Sequence, residues 1–418
     1  MKKRRLALLT VAASLSVVGS SFAAMNAANT VNSAAIVDGQ VMTADLANVA
    51  VTAAKIATGT ITATQLAAGA VTDAKITGPI SAGKIAVGNV IIVAKNGGQF
   101  TSPSAALASI GNASPTNRYL VKVMPGVYEM GTTSLQMQAN VDLEGSGDSS
   151  VINSTVSNAG FDTCTDGTVN MANNSVIKNI KVTNTATSGV DTVIAAVAFN
   201  NVKAKAEGIT AIAGMDNVAS AERITGICSN GAAGHAILNN VTSEAHGLNG
   251  DANAVMAFYD GSLTISNSNM ISYKAPATVG NSGYHVVDAV MGVTGVGVVT
   301  ITNSYVEANI GQPNREGDLL YCNGYNSAIS NSRFMSKGEG SISLYFNDGQ
   351  STGTKHSVIN SQFNSDKSGV YTVLVSTGIA SVVVANSLLQ GGVDINVDGP
   401  GAKLFNNYTE SLEAIPNL

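Results

Sequence analysis

The chain has 418 residues, of which 45% are apolar, 12% are charged and 5% are aromatic. Because 22 Lys and Arg stand against 27 Asp and Glu, the net charge is -5, and the chain lacks the basic surface that binding to a nucleic-acid backbone requires. The apolar fraction excludes a disordered chain. Its 43 Gly and few charges are typical of stacked β structure, and the length allows one long repetitive core.

Residues 1–24 have the pattern of an export signal. Basic residues at positions 2–5 precede a mostly apolar run, Leu6–Val18, which is too short to span a bilayer. The small residues Ser21 and Ala23 predict cleavage after Ala23 or Ala24. No later segment is long and apolar enough to cross a membrane. The mature protein is therefore expected to be secreted, extracellular or at the outer cell surface, without a transmembrane segment.

Residues 25–89 carry a ten-residue repeat with two apolar positions per unit, a spacing that fits neither a helix nor a strand alone. We predict a short strand and one helical turn per unit. Because such a unit cannot bury a core alone, we expect a stalk that assembles as a homotrimer; a flexible linker is the alternative. The two apolar sets are Val41, Val51, Ile61, Val71 and Ile80, and Leu46, Ile56, Leu66, Ile76 and Ile85.

The long domain, residues 90–418, begins with local signals for strands and one helix. A β-branched run predicts a strand over Val90–Ala94, and a second strand is predicted over Tyr119–Met124. Between them, Ser102 followed by Pro103 is a helix-start signal. We expect a short helix over Ser104–Ile110.

Downstream, a motif of Asn and a small residue between apolar residues repeats about once per coil of a three-sided solenoid. Asn tolerates the left-handed backbone of a tight corner, and stacked amides can bond between coils, so we predict a structural asparagine ladder. In the longest interval we expect a hidden turn at Ile224–Ile227, with Gly in place of Asn. The predicted ladder residues are Asn153, Asn179, Asn201, Asn240, Asn267, Asn303, Asn331, Asn360, Asn386 and Asn406.

This arrangement resembles the pectin lyase-like superfamily. More specifically, Val93–Thr101, Val121–Glu129 and Val141–Gly147 are similar to the opening of the β-helix in pectinesterases. The resemblance implies an all-β fold, a right-handed single-stranded parallel β-helix with a short N-terminal cap helix, here preceded by the repeat stalk. The catalytic motifs of that family, such as Gln-Asp-Thr and Gly-Arg-x-Trp, have no counterpart in this sequence.

Few residues are available for acid–base chemistry, which needs two carboxylates, or a carboxylate and a His, near one substrate. Each candidate lies in a turn, a loop or beside a strand, where such residues also occur without a catalytic role. The spacing of the remaining His residues does not predict a metal site, and no cofactor is expected. The catalytic candidates are Asp260, His285, Asp288, Arg315 and Asp318.

The three cysteines, Cys164, Cys228 and Cys322, are far apart in the chain, which argues against a metal site. In an oxidising compartment one pair could form a disulfide. The favoured interpretation is three buried small hydrophobic side chains.

These observations predict an exported β-helix protein with a non-catalytic role, structural, adhesive or polysaccharide-binding. Polysaccharide is the expected partner because Tyr and Phe rings can stack on sugars, although the chain has no Trp. One alternative is a carbohydrate-active enzyme such as a pectinesterase-like esterase. Another is a subunit of a trimeric fibre or appendage.

Overall fold

The computed structural model divides the chain into two units, Met1–Pro79 and Ile80–Leu418. The export segment and the predicted cleavage site lie outside the described residues. The structure describes residues 36–67, 70–71, 89–159, 164–187, 192–214, 223–247, 251–274, 284–290, 297–310, 317–337, 344–347, 353–365, 373–375, 381–389, 395–397 and 402–409.

The first unit repeats one short turn every ten residues. Single 3-10 turns occur at Thr43–Asp45, Ala53–Lys55 and Ala63–Gln65. The helical turn of each unit was expected, but residues 36–67 contain no strand, because a strand requires a paired neighbour and these turns bond only locally. The repeated apolar side chains in the described residues, from Val41 to Val71, are 40–57% exposed.

The second unit is a right-handed parallel β-solenoid, which confirms the predicted fold class. Strands from successive coils pair in parallel to form the sides of the solenoid. Strands are numbered in chain order, and β5 and β8 pass through a corner to belong to two sides. Sheet 1 contains β1 (Val90–Val93), β2 (Tyr119–Val123), β5 (Val141–Ser154), β8 (Val176–Asn184), β10 (Lys203–Glu207), β13 (His235–Asn239), β16 (Ser262–Ser266), β19 (Val298–Thr302), β22 (Asn326–Ser330), β25 (Lys355–Ile359), β28 (Ser381–Ala385) and β31 (Ala402–Phe405).

Sheet 2 follows sheet 1 around one corner, and sheet 3 forms the remaining side. Within sheet 3, β6 pairs antiparallel with β9. Sheet 2 contains β3 (Gly126–Glu129), the ends of β5 and β8, β11 (Thr210–Ala213), β14 (Thr242–Gly247), β17 (Asn269–Lys274), β20 (Tyr305–Ile310), β23 (Arg333–Lys337), β26 (Gln362–Ser365), β29 (Leu388–Leu389) and β32 (Tyr408–Thr409). Sheet 3 contains β4 (Leu135–Gln136), β6 (Asn158–Ala159), β7 (Val169–Asn170), β9 (Thr192–Asn200), β12 (Arg223–Asn230), β15 (Asp251–Phe258), β18 (Tyr284–Val290), β21 (Gly317–Asn323), β24 (Leu344–Asn347), β27 (Val373–Val375) and β30 (Ile395–Val397).

The core is a stack of apolar rows inside the solenoid. Because side chains alternate along a strand, every second residue points inward, and parallel register places equivalent residues above one another. In sheet 2, for example, Phe334 pairs in register with Phe363, and their rings stack at 4.9 Å. Both rings are fully buried. The alternation in sequence thus becomes a continuous apolar interior.

A short α-helix, α1 (Pro103–Ala108), packs near the start of the solenoid. Ser102 occupies the N-cap position, and Pro103 is the first helical residue, as the start signal predicted. The helix ends before the expected Ile110. Ala106 and Leu107 are buried in the same core as the first strands. Among the described residues, no helix is long and apolar enough to cross a membrane.

Asparagines with a left-handed backbone form the corner between sheets 1 and 2. Their φ angles lie between 49° and 53°, and the amide of Asn303 donates to the Asn267 Oδ1 of the preceding coil at 3.5 Å. Equivalent bonds join Asn360 to Asn331 at 3.4 Å and Asn406 to Asn386 at 3.4 Å. The corner asparagines are Asn179, Asn240, Asn267, Asn303, Asn331, Asn360, Asn386 and Asn406.

Two asparagines of the predicted ladder lie elsewhere. Asn153 is paired with Thr183 near the end of strand β5, and Asn201 is at the corner that leads from sheet 3 into sheet 1. The expected turn at Ile224–Ile227 is also wrong, because these residues lie within β12. The corner position of that coil is held by Gly208, with φ 60°. Glycine reaches this conformation without a side-chain amide, which explains why the motif is missing there.

Candidate functional site

The outer face of sheet 3 carries a row of side chains that changes from apolar to polar along the solenoid. Parallel register aligns Met256 with Asp288, Asp288 with Tyr321, and Tyr321 with Tyr345. The residues before them, such as Val287, point into the core. Alternation therefore places this row on the outside of β15, β18, β21 and β24. We call it the outer row.

The beginning of the outer row is covered by other parts of the chain. Cys228, which aligns with Met256, forms a disulfide with Cys164. Met256 and Phe258 are fully buried in a small apolar cluster with both cysteines. The disulfide corrects the favoured expectation of three unbonded cysteines; Cys322, by contrast, is a buried free thiol. The bridge thus fastens the segment around Cys164 over one end of the outer row.

Next along the row, Asp288 and Arg223 form a buried pair of opposite charges. The Oδ2 of Asp288 lies 3.8 Å from Nη1 of Arg223, and their side chains are only 2% and 12% exposed. The guanidinium also lies 5.5 Å from the centre of the Phe258 ring. A buried carboxylate requires such compensation, since removing one partner would leave an uncompensated buried charge. Arg223 thereby compensates the buried carboxylate of Asp288.

Beyond this pair, three rings from consecutive coils form an aromatic strip. His285 stacks on Tyr321 with ring centres 4.6 Å apart, and Tyr321 contacts Tyr345 at 5.1 Å. The Tyr321 hydroxyl accepts a hydrogen bond from Asn323 Nδ2 at 3.1 Å and another from Asn347. Burial raises the pKa of Tyr321, so its hydroxyl stays protonated at neutral pH.

The aromatic strip is held in place and partly open to solvent. His285, Tyr321 and Tyr345 are each half-buried. The backbone N–H of His285 donates to Asn253 Oδ1 of the preceding coil at 3.2 Å. Paired strands beneath the rings fix their spacing. The strip therefore presents apolar ring surface beside amide groups that donate and accept hydrogen bonds.

The predicted catalytic candidates separate in the structure. His285 and Asp288 both lie beside Tyr321, since the His285 ring stacks on its ring and Asp288 is aligned with it in register. Asp260 instead lies in a corner turn, with φ 65° and a side chain that is 3% exposed. Burial raises the pKa of the core residue Tyr325, and the charge of Asp260 raises it further. Arg315 lies outside the described residues, and Asp318 pairs with His285 in backbone register while its side chain is outside the description.

Sequence reasoning missed Arg223, Tyr321 and Tyr345. Their signal was weak because segments of different length separate the strands of sheet 3, so the residues keep no fixed distance from the corner asparagines. A catalytic acid or base must reach its substrate, whereas Asp288 is 1% exposed. Among the described residues, no group of three or more His, Cys, Asp and Glu could hold a metal ion. The aromatic strip on this face offers ring stacking and hydrogen bonding.

No protein-family model matches the sequence, and no curated protein matches it. The chain is similar to pectin methylesterase from carrot, with 14% identity and a TM-score of 0.35. The similarity covers 78% of this chain and 85% of the carrot protein. It is also similar to pectin methylesterase from Yersinia enterocolitica, with 14% identity and a TM-score of 0.34. That similarity covers 76% of this chain and 92% of the Yersinia protein.

A further similar structure is ORF18 of Geobacillus virus E2, with 11% identity and a TM-score of 0.38 over 74% of this chain and 58% of that protein. Pectinesterases are thus among the solved structures to which this chain is similar, at low identity and low TM-score. At these identities the likeness concerns fold alone, and no functional residue is transferred from it.

Proposed function

We propose that this protein is an exported β-solenoid that binds polysaccharide through the aromatic strip on sheet 3 and does not cleave it. The observation that carries the proposal is the strip itself, in which His285, Tyr321 and Tyr345 follow one another across adjacent coils. Aromatic rings offer flat apolar surface, and the amides of Asn323 and Asn347 add hydrogen-bonding groups at one edge. Such a surface suits the alternating apolar and hydroxyl faces of sugar rings.

One feature of the outer row supports binding without turnover. The carboxylate of Asp288 is buried against Arg223, so it serves as a counter-charge beneath the strip. General acid–base catalysis needs a group that reaches the substrate. The expected export signal at residues 1–24 adds an extracellular location, where polysaccharide is abundant.

A tyrosine substitution tests the proposal. Tyr345→Ala removes one half-buried ring of the strip, whereas Tyr408→Ala removes a ring that is 43% exposed on sheet 2. Binding to a panel of soluble neutral and acidic polysaccharides is measured by affinity electrophoresis, with thermal unfolding to verify folding. We expect about tenfold weaker binding for Tyr345→Ala and unchanged binding for Tyr408→Ala. Equal affinity of Tyr345→Ala and the wild type would contradict the proposal.

A second proposal concerns the ten-residue repeats, which we infer to be a homotypic assembly segment of a trimeric fibre or surface appendage. Its supporting observation is that apolar side chains such as Val51 and Ile61 remain 55% and 52% exposed in the single chain. Burial of such surface favours association. A second copy has the same ten-residue period, so its apolar positions stay aligned along the whole segment, which a partner of different period cannot achieve.

A further inference from the structure

A groove runs along the outside of the corner between sheets 1 and 2. It has a volume of about 910 Å³ and extends over five coils, from Asn267 to Leu388. Its walls are corner asparagines and the first outward residues of sheet 2, including Tyr305, Arg333 and Gln362. We call it the corner groove. It lies on a different side of the solenoid from the aromatic strip on sheet 3.

The floor of the corner groove is rigid. Buried serines that follow the asparagines accept backbone N–H bonds from the coil before, as Ser332 Oγ does from the N–H of Ser304 at 3.2 Å. The asparagine side chains above them are exposed and repeat at the strand spacing of about 4.8 Å. An amide has more hydrogen-bonding sites than one neighbouring amide can use. The groove therefore offers a regular line of neutral donors and acceptors.

The charge of the corner groove comes from Arg333. It is the only charged side chain among the described residues that line the groove. It is exposed, and its guanidinium lies 6.0 Å from the centre of the Tyr305 ring. Parallel register places Tyr305 on one side of Arg333 and Gln362 on the other. A single positive charge thus lies between an aromatic ring and an amide.

The carboxylate of Glu307, which contacts Tyr305, is already compensated. Glu307 accepts a hydrogen bond from the Tyr305 hydroxyl and lies 2.7 Å from Nζ of Lys337. Glu307 is 7% exposed. The hydrogen bond from its hydroxyl to Glu307 fixes the Tyr305 ring. Because Lys337 balances the charge of Glu307, the charge of Arg333 stays available to a ligand.

We propose that the corner groove is a second binding site, which takes an anionic polysaccharide lying along the solenoid axis. A carboxylate or sulfate of the polymer pairs with Arg333, because guanidinium binds planar and tetrahedral oxyanions through paired hydrogen bonds. One sugar ring packs on Tyr305, and hydroxyl groups bond to the corner amides. This inference goes beyond the aromatic strip and does not depend on it.

The test compares Arg333→Gln with Lys355→Gln, a matched loss of one exposed positive charge on sheet 1. Probes are a polyuronate, dextran sulfate and neutral dextran, each titrated at low and physiological salt. We expect Arg333→Gln to weaken binding of an anionic polymer about tenfold and to reduce its salt dependence. Lys355→Gln should bind like the wild type, and neutral dextran should not distinguish the variants. The preferred anionic polymer identifies the carboxylate or the sulfate as the recognised group.

Three results would overturn the proposal: absence of anionic binding by the wild type, equal affinity of Arg333→Gln and the wild type, or equal losses in Arg333→Gln and Lys355→Gln. The Tyr345→Ala variant separates the two sites. If Tyr345→Ala loses anionic binding and Arg333→Gln does not, the corner groove is rejected as a binding site and the aromatic strip is retained. If only Arg333→Gln loses it, the corner groove is supported and the strip has no part in anionic recognition.

Discussion

At the scale of single residues, buried serines contribute as much to the corner as the asparagines that precede them. Ser268, Ser304, Ser332, Ser361 and Ser387 are 1–5% exposed. Each hydroxyl donates to the carbonyl two residues earlier and accepts an N–H from the preceding coil. The serines satisfy buried backbone groups where the strand ladder is interrupted. Their bonds of 3.0–3.3 Å are shorter than the 3.4–3.5 Å amide contacts between corner asparagines.

Replacing one of these serines should destabilise the solenoid. Ser332→Ala leaves the N–H of Ser304 without its acceptor, which costs about 1–3 kcal/mol for a buried donor. Ser357→Ala, at a half-buried outward position of β25, serves as the control. The free energy of unfolding is measured in urea. Equal stability of both variants would show that the serine bonds are dispensable.

Buried His356 should make stability depend on pH. Its ring stacks on Phe346 at 4.2 Å and contacts the Ser327 hydroxyl at 3.0 Å, and burial lowers its pKa from 6.5 to about 3. Between these values the unfolded chain binds a proton that the folded chain does not. Stability is therefore fully present above pH 6.5 and decreases as the pH falls towards 3.

From pH 7 to pH 5.5 we expect the wild type to lose about 1 kcal/mol more than His356→Gln, which cannot titrate. Urea unfolding at both pH values measures this difference. Equal losses of stability in the wild type and in His356→Gln would mean that His356 is protonated as readily in the folded state as in the unfolded state.

Residue chemistry predicted the corner well and the site poorly. Asn303 was recognisable because left-handed corners favour few residue types, and neighbouring coils repeat its flanking residues. Gly208 was missed since it holds the same conformation without the motif. Arg223 reaches Asp288 across two coils, a contact that depends on tertiary register rather than on local spacing.

At the scale of elements, the disulfide joins the segment around Cys164 to strand β12. The two cysteines are separated by 64 residues in sequence, and cross-linking a loop of this length stabilises a protein by about 4 kcal/mol in the chain-entropy description. A reductant should therefore lower the stability of the wild type. Thermal unfolding with and without dithiothreitol measures the effect.

The matched variants are Cys164→Ala/Cys228→Ala, which should be unaffected by the reductant, and Cys322→Ala, which should respond as the wild type does. Cys322 is buried and forms no disulfide, so its removal does not touch the bridge. A response to reductant in the double variant would contradict a stabilising disulfide.

Elements with strong local signals were predictable. The helix at Pro103 and the strand at Val90 follow directly from a proline-initiated turn and a β-branched run. The strands expected in the ten-residue repeats are absent from residues 36–67, because strand formation depends on a partner that local sequence does not specify. The same dependence hid the disulfide, since pairing of cysteines follows from tertiary proximity.

At the scale of the whole molecule, we propose that the repeat segment sets the oligomeric state and the solenoid binds the ligand. Removing residues 25–89 should convert an oligomer into single chains, measured by light scattering coupled to size-exclusion chromatography. Val51→Thr/Ile61→Thr should weaken the assembly, because Thr places a hydroxyl group in the apolar contact. An unchanged mass after the deletion would contradict assembly through the repeats.

The most direct test of the central claim is incubation of the purified protein with a polysaccharide panel that includes methyl-esterified pectin. Bound polymer and soluble products are measured in the same samples, the products by mass spectrometry. We predict that at least one polymer is retained by the protein and recovered chemically unchanged. Release of methanol or of oligosaccharides would contradict binding without cleavage, and would direct attention to the carboxylates Asp260, Asp288 and Asp318.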